Sequence, residues 1–163
     1  MSEIIRILPM DRKGEFCGES IKYIQDEFFI KDLPSRFDNI GEGKYCYKKY
    51  GMKIKKDTLV LFQYDNMIVA IARLENIKKF DTPQDCYHGT YYFQPESIKV
   101  FKPINNTLIN KIFNINIKYS NTKHTIKTNF IQDFIDNLED IRTMDKTIKR
   151  YNLKECKKKS CSS

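Results

Sequence analysis

The side chains of this sequence that could form a nucleophile and its base are few. The chain holds 2 histidines, His88 and His124. Cys86 stands two positions before His88, so both side chains would point the same way in an extended segment, and a thiol beside an imidazole can act as a nucleophile. Catalytic pairs are assembled in space rather than by adjacency, and the sequence has no GxSxG, HExxH or Walker loop. We therefore expect two ordinary loop residues here and no enzyme.

Carboxylates are common, but their spacing does not require metal or acid–base chemistry. Asp133, Asp136 and Asp140 recur at i, i+3 and i+7 of a predicted helix and would share one face. A solvated acidic helix face accounts for this spacing better than a metal site does. We expect no metal and no cofactor.

Aromatic and basic residues alternate through the middle of the chain. Basic side chains neutralise phosphates, and aromatic rings stack on bases for about 1–3 kcal/mol per base. This pattern favours nucleic-acid binding, although rings also fill the core of any small β-barrel. We expect core positions for Phe62, Tyr91 and Phe93. More exposed positions are expected for Tyr64, Tyr87 and Tyr92.

The elements that must position these residues follow the order strand, helix, several strands, helix. They are a strand at 4–8, a helix at 18–30 capped by Ser20, a loop at 31–43, a strand at 44–54 with a turn at Gly51, a hairpin of strands 58–64 and 67–75, a loop at 81–89, strands within 90–101 interrupted at Pro95, a short helix after Pro103, and a helix at 126–141.

The hairpin is the strongest local signal, because Asp65-Asn66 separates two runs of strand-forming residues by two positions. The connections between the central strands are too short for parallel crossovers. We predict an α+β fold in which a small, curled, mostly antiparallel β-barrel carries flanking α-helices. Residues 1–145 form a single domain in this prediction, and 146–163 form a basic C-terminal tail that is partly disordered.

The charge balance favours a polyanionic partner. The chain of 163 residues has a formal net charge of +8, which attracts nucleic acid first and acidic membrane second. A Lys-rich chain can also serve solubility alone. No signal peptide and no run long enough to span a membrane is visible. The 5 cysteines are odd in number and form no CxxC pair, so we expect a reduced, cytoplasmic setting.

Two stretches resemble the PUA-like (EVE/ASCH/YTH-type) superfamily. They are "KKDTLVLFQYDNMIVAIARLENI" and "GTYYFQPESIKVFKPI", together about fifty residues of the chain. The matching positions are Asp57, Val60, Phe62, Asp65, Ala70 and Ala72 in the hairpin, then Tyr91, Tyr92, Phe93, Pro95, Ser97, Ile98, Val100, Phe101, Pro103 and Ile104. The pattern is similar to that of the modified-base reader domains of McrB-type or HNH-type restriction proteins.

The resemblance implies a pseudobarrel and a pocket in which aromatic rings hold a flipped, methylated base. The pocket residues are Phe62 and Tyr64 on one wall, Tyr87 and Tyr92 on the other, with Asp65 at the turn. Phosphate contacts are expected from Arg36, Lys44, Arg73 and Lys79. DNA is expected ahead of RNA, in restriction or phage defence, with a separate nuclease or NTPase as effector. The alternative is a protein-interaction or regulatory domain whose basic surface binds an acidic partner.

Overall fold

The computed structural model describes residues 3–12, 14–48, 51–120, 123–138, 142–143 and 151–152. The strands within these ranges are β1 (Glu3–Pro9), β2 (Arg36–Phe37), β3 (Lys44–Lys48), β4 (Leu59–Tyr64), β5 (Met67–Gln84), β6 (Tyr87–Phe93), β7 (Lys99–Ile104), β8 (Thr125–Thr128), β9 (Arg142–Thr143) and β10 (Tyr151–Asn152). The helical segments are Ile21–Tyr23, the π-helix Ile24–Asp32, Leu33–Ser35, the 3-10 turn Pro95–Ser97, Asn106–Phe113 and Ile131–Asp136.

The hairpin of β4 and β5 confirms the turn predicted at Asp65-Asn66. Both turn residues have positive φ, 49° and 61°, which is the backbone of a type I′ turn and suits the twist of the two strands. On its other side β4 pairs with β1 in parallel, and β1 pairs with β8 antiparallel. The parallel pair brings the carboxyl ends of β1 and β4 to one edge of the sheet.

β5 is the strand that joins the two halves of the sheet. Its first part pairs with β4 and β7, and its second part pairs with β6. At Arg73 the carbonyl accepts from Gln94 N at 2.9 Å, and the backbone N–H donates to Ser97 Oγ at 2.7 Å. β6 and β7 therefore follow one another along the same side of β5, and the 3-10 turn that begins at Pro95 separates them as expected.

The eight-stranded sheet is open along its described path. Its order is β3-β6-β5-β4-β1-β8, with β7 and β9 branching from β5, and β2 and β10 form a separate pair. All but two of the pairings, β1 with β4 and β2 with β10, are antiparallel. The α+β class and the mostly antiparallel sheet are confirmed.

Each face of the sheet carries its own hydrophobic core. The π-helix packs on the first face, where Gln25 Nε2 donates to the carbonyls of Val69 and Phe101 at 2.9 and 2.7 Å. Ser20 caps the helical segment as predicted, because its Oγ accepts from Tyr23 N. The helices Asn106–Phe113 and Ile131–Asp136 pack on the second face.

Several predicted elements are wrong in their boundaries. The loop predicted over 31–43 begins as helix as far as Ser35 and contains β2, β3 covers only Lys44–Lys48 of the strand predicted over 44–54, and β5 runs beyond the predicted 67–75 to Gln84. The helix predicted over 126–141 is split, because β8 pairs with the edge of β1 and a short helix begins only at Ile131. The loop predicted over 81–89 is strand on both sides of a turn at Asp85 and Cys86, whose φ values are 50° and 71°. Apolar spacing alone did not show that Ile126 faces the second core from a strand.

The cysteines differ from the sequence-based expectation. Cys17 and Cys46 are disulfide-bonded, so the prediction of reduced cysteines is wrong at these two positions. Cys86 is exposed. No helix in the described part of the chain has the length and apolar character needed to cross a membrane. Asp140 and most of the predicted tail lie outside the described residues.

Candidate functional site

A cleft opens where the carboxyl ends of β1 and β4 meet. Pro9 lies opposite Gln63 in the parallel register, and Met10 N donates to the Gln63 carbonyl at 2.8 Å. The chain then leaves β1 as a loop that approaches β3 and the start of β6.

We refer to this feature as the loop–sheet cleft. Its volume is about 570 Å³, within the range of pockets that hold small molecules or single nucleotides. The residues that line it are Leu8, Pro9, Met10, Asp11, Arg12, Gly14, Glu15, Phe16, Tyr45, Cys46, Tyr47, Lys48, Gln63, Asp65, Asn66, Tyr87 and Lys123.

Four aromatic residues line the loop–sheet cleft: Phe16, Tyr45, Tyr47 and Tyr87. The rings of Phe16 and Tyr45 are stacked with centroids 6.3 Å apart. Lys48 Nζ lies 5.7 Å from the centroid of the Tyr87 ring, a cation–π distance. The cleft thus brings aromatic rings together with a cation that lies beside one of them.

Burial keeps the tyrosines of this region neutral. It raises the pKa of Tyr45, Tyr47 and Tyr87 above the ordinary value. Burial also raises the pKa of Tyr91 to about 12, although its hydroxyl accepts a hydrogen bond from Met52 N at 2.6 Å. Neutral phenols can donate as well as accept hydrogen bonds, which widens the range of polar ligands that they can bind.

The charges around the cleft alternate in sign. Arg12 Nη1 lies 2.9 Å from Asp65 Oδ1, and Lys48 Nζ lies 2.9 Å from Asp11 Oδ2. Acidic and basic residues line the cleft in equal number, three of each. These charges cancel, so the cleft can orient a ligand but does not attract polyanions strongly.

The tail carries most of the basic excess. Residues 146–163 hold seven of the 29 Lys and Arg residues and one of the 21 acidic residues, so they supply six of the eight net positive charges. Residues 1–145 are nearly balanced. Long-range attraction for a polyanion is therefore a property of the C-terminal sequence rather than of the cleft.

The structure does not assemble the base pocket expected from the sequence. Tyr87 and Asp65 line the loop–sheet cleft, but Phe62 is fully buried in the first core. Its ring packs on Phe93 at a centroid distance of 5.1 Å. Tyr64 lies on the same face of β4 and donates to the carbonyls of Phe16 and Glu19 at 3.0 and 2.5 Å.

Tyr92 lies on the opposite face of β6 from the first core. It is 1 % exposed, and its hydroxyl donates to Asp38 Oδ2 at 2.7 Å. Lys44 Nζ lies 3.2 Å from the same oxygen. Burial alone would raise the pKa of Asp38, but these contacts and the backbone N–H groups of Ile40 and Gly41 outweigh it and lower that pKa.

The exposure predicted for three tyrosines is therefore wrong. Tyr64, Tyr87 and Tyr92 are all buried, because each ring packs against other parts of the fold. The core positions predicted for Phe62, Tyr91 and Phe93 are confirmed.

Two of the four residues expected to contact phosphate are also buried. Arg36 is 3 % exposed; it forms an ion pair with Glu15 and lies 4.9 Å over the Phe28 ring. Lys44 is held by Asp38. Arg73 is half-buried and donates to the Asp57 carbonyl at 2.8 Å, whereas Lys79 is exposed. Arg36 and Lys44 thus form ion pairs inside the fold, while Lys79 remains accessible.

The structure also places the other residues considered from the sequence. Cys86 sits in a left-handed turn, so it does not alternate regularly with exposed His88. No group of three or more His, Cys, Asp or Glu side chains that could hold a metal occurs within the described ranges.

Sequence reasoning missed several residues of the cleft, above all Gln63, Tyr45 and Tyr47. The alternation "YCY" in β3 was the available signal for the two tyrosines. Comparisons of the chain with protein-family models, with curated proteins and with solved structures find no match.

Proposed function

We propose that this protein is a nucleic-acid binding module that holds an unpaired base in the loop–sheet cleft and is not an enzyme. The observation that carries the proposal is a cleft of about 570 Å³ in which aromatic rings and basic side chains occur together. Every base has a face that can stack on a ring, so such a site suits a base taken out of its strand.

Within the cleft, each class of residue has a distinct part in this proposal. Tyr45, Tyr47 and Tyr87 provide ring faces and phenol groups. Arg12 and Lys48 lie at the same cleft and exchange part of their contact with Asp65 and Asp11 for a phosphate. Breaking a partly exposed ion pair costs little free energy, because such pairs contribute little to stability.

The C-terminal residues 146–163 provide the electrostatic attraction. Each phosphate contact made by Lys or Arg releases counterions, which makes binding fall steeply with salt. The cleft then distinguishes bases, whereas the tail sets the general affinity. These separate roles of the cleft and the tail follow from the balanced charge of the cleft and the concentration of positive charge in the tail.

The resemblance to modified-base readers extends the proposal to a methylated base in DNA, with a separate nuclease or NTPase effector. Leu8 and Met10 lie at the cleft, and contact with them would favour an added methyl group by about 0.8 kcal/mol. We also propose that the two sheet halves joined by β5 correspond to the curled sheet of a PUA-like pseudobarrel.

Binding to matched oligonucleotides tests the proposal. The panel has single- and double-stranded DNA and RNA, unmodified or carrying 5-methylcytosine, N4-methylcytosine or N6-methyladenine, all at one salt concentration. Tyr87→Leu should weaken binding about tenfold or more, the loss of one stacked base. Tyr23→Leu is the matched control, since Tyr23 is 42 % exposed and lies outside the cleft.

A preference for one modified base that Tyr87→Leu abolishes would support the proposal. Uniform binding that Tyr87→Leu leaves unchanged would place the contacts elsewhere and contradict it. If no oligonucleotide binds, the chain is not a nucleic-acid binding module.

A further inference from the structure

Two exposed ion pairs join the loop that follows β1 to other elements that line the loop–sheet cleft. Asp11 Oδ2 lies 2.9 Å from Lys48 Nζ on β3. Arg12 Nη1 lies 2.9 Å from Asp65 Oδ1 in the turn between β4 and β5. All four residues line the cleft, and their side chains are between 33 % and 56 % exposed. A ligand in the cleft can therefore reach both pairs.

Each cation of these pairs also lies over an aromatic ring. Lys48 Nζ is 5.7 Å from the centroid of the Tyr87 ring, and Arg12 Cζ is 5.6 Å from the centroid of the Tyr64 ring. A ring face attracts a cation but carries no net charge to neutralise it. The ring thus helps to keep each cation in place, while the carboxylate occupies the position that an anionic ligand would take.

A carboxylate and a phosphate present the same kind of group to Lys and Arg, namely anionic oxygens that accept charge-assisted hydrogen bonds. Exposed ion pairs contribute little to stability, because water and salt screen them. A phosphate can therefore replace either carboxylate at small cost. The same two carboxylates explain why the cleft does not attract polyanions strongly, since they cancel the charges of the two cations.

We propose that Lys48 and Arg12 form a phosphate site that the carboxylates of Asp11 and Asp65 occupy in the free protein, so that the two aspartates inhibit binding. This inference rests on the proposed function and adds that the chain competes with its own ligand. The phosphates are those next to the bound base in the nucleic-acid strand. Removal of either carboxylate should then strengthen binding, whereas an ion pair with a purely structural role would give no gain when it is broken.

The experiment measures the affinity of the full chain for a single-stranded DNA nonamer of mixed sequence at one salt concentration. Asp11→Asn and Asp65→Asn should each tighten binding about threefold, in keeping with the strength of an exposed ion pair. Asparagine adopts positive φ readily, so Asp65→Asn should keep the turn. Glu27→Gln is the matched control, because it removes the same charge from an exposed pair with Lys31 outside the cleft. It should leave the affinity nearly unchanged.

A double-variant cycle tests whether Asp11 acts through Lys48. Lys48→Met should weaken binding, and adding Asp11→Asn to it should bring no gain, since the cation that Asp11 neutralises is gone. A gain that persists without Lys48 would overturn the inference, because Asp11 would then act by general repulsion. If Lys48→Met does not fold, Arg12→Met with Asp65→Asn provides the same cycle at the other pair.

The remaining outcomes separate this inference from the proposed function. If the aspartate variants bind no tighter than the wild type while Tyr87→Leu still weakens binding, the inference is overturned and the proposed function stands. If they bind tighter and Tyr87→Leu has no effect, the phosphate site stands without a base in the cleft. Absence of binding by the wild type and by both aspartate variants would overturn both proposals.

Discussion

Tyr47 and Gly89 face one another across the β3–β6 pair, and a Cβ atom at Gly89 would lie 2.1 Å from Tyr47 Oη. The Lys78 carbonyl would lie 2.6 Å from the same Cβ, so movement of the tyrosine alone cannot relieve the overlap. Glycine at this position leaves room for the Tyr47 ring, which packs on Tyr91 with centroids 4.6 Å apart and the ring planes tilted by 31°. Because Tyr47 lines the loop–sheet cleft, Gly89 of β6 affects the shape of the cleft through the position of this ring.

Gly89→Ala should destabilise the fold by about 1–3 kcal/mol, the usual cost of adding atoms to a packed site. Urea unfolding gives the free energy directly. The double variant Gly89→Ala with Tyr47→Val should cost less than the sum of the two single changes, because the smaller side chain removes part of the overlap. Simple additivity would show that the two residues do not compete for space.

The buried ion pair of Arg36 and Glu15 should matter far more than a surface pair. Glu15→Gln removes the charge of Glu15 from beside a buried guanidinium, which should cost about 3–5 kcal/mol. Glu27→Gln breaks the exposed Lys31–Glu27 pair and should cost about 0.5 kcal/mol or less. Equal costs in urea unfolding would contradict the burial of Arg36.

Asp38 should make the fold sensitive to acid. Burial alone would raise the pKa of Asp38, but its hydrogen bonds from Tyr92, Ile40, Gly41 and Lys44 outweigh burial and hold that pKa below the ordinary value in the folded state. Its ionised form therefore contributes stability that is present above the unfolded pKa. This contribution is lost as pH falls through the folded pKa. Between pH 6 and pH 3, urea unfolding should show a smaller loss of unfolding free energy for Asp38→Asn than for the wild type. An identical loss would mean that the contacts of Asp38 with Tyr92 and Lys44 do not favour its charge.

The basic tail should determine the salt dependence of binding. Changing Lys157, Lys158 and Lys159 to Gln should weaken the binding of all oligonucleotides alike. It should also reduce the slope of log affinity against log salt by about 2–3. The same change at exposed Lys53, Lys55 and Lys56 alters the net charge equally and should leave the slope nearly unchanged. A larger effect of the second set would move the phosphate contacts away from the tail.

Local features of the fold could be predicted from the sequence, whereas long-range ones could not. Alternation and the Asp65-Asn66 pair predicted the hairpin, since both signals lie within a short stretch. The parallel pairing of β1 with β4 joins segments more than fifty positions apart, and no local pattern reports it. The extension of β5 to Gln84 passes through Pro83, a residue that usually ends a strand or marks its edge.

The candidate site was harder to predict than the fold for the same reason. Tyr64 and Tyr92 looked like pocket residues because tyrosine favours positions where its hydroxyl meets a polar group. Their partners are the Phe16 and Glu19 carbonyls and Asp38, which the fold supplies from distant segments. Gln63 looked like an ordinary polar position of a strand, and its hydrogen bonds with Met10 and Ser120 join it to distant segments.

The central claim is that a base enters the loop–sheet cleft, and photo-crosslinking tests it most directly. A single-stranded oligonucleotide with one 5-iododeoxycytidine, irradiated in complex with the full chain, marks the residues that touch the base. The account predicts crosslinked peptides that contain cleft residues, Tyr45, Tyr47 or Tyr87 among them. Crosslinks confined to residues 146–163 would show that the base does not enter the cleft and would contradict the account.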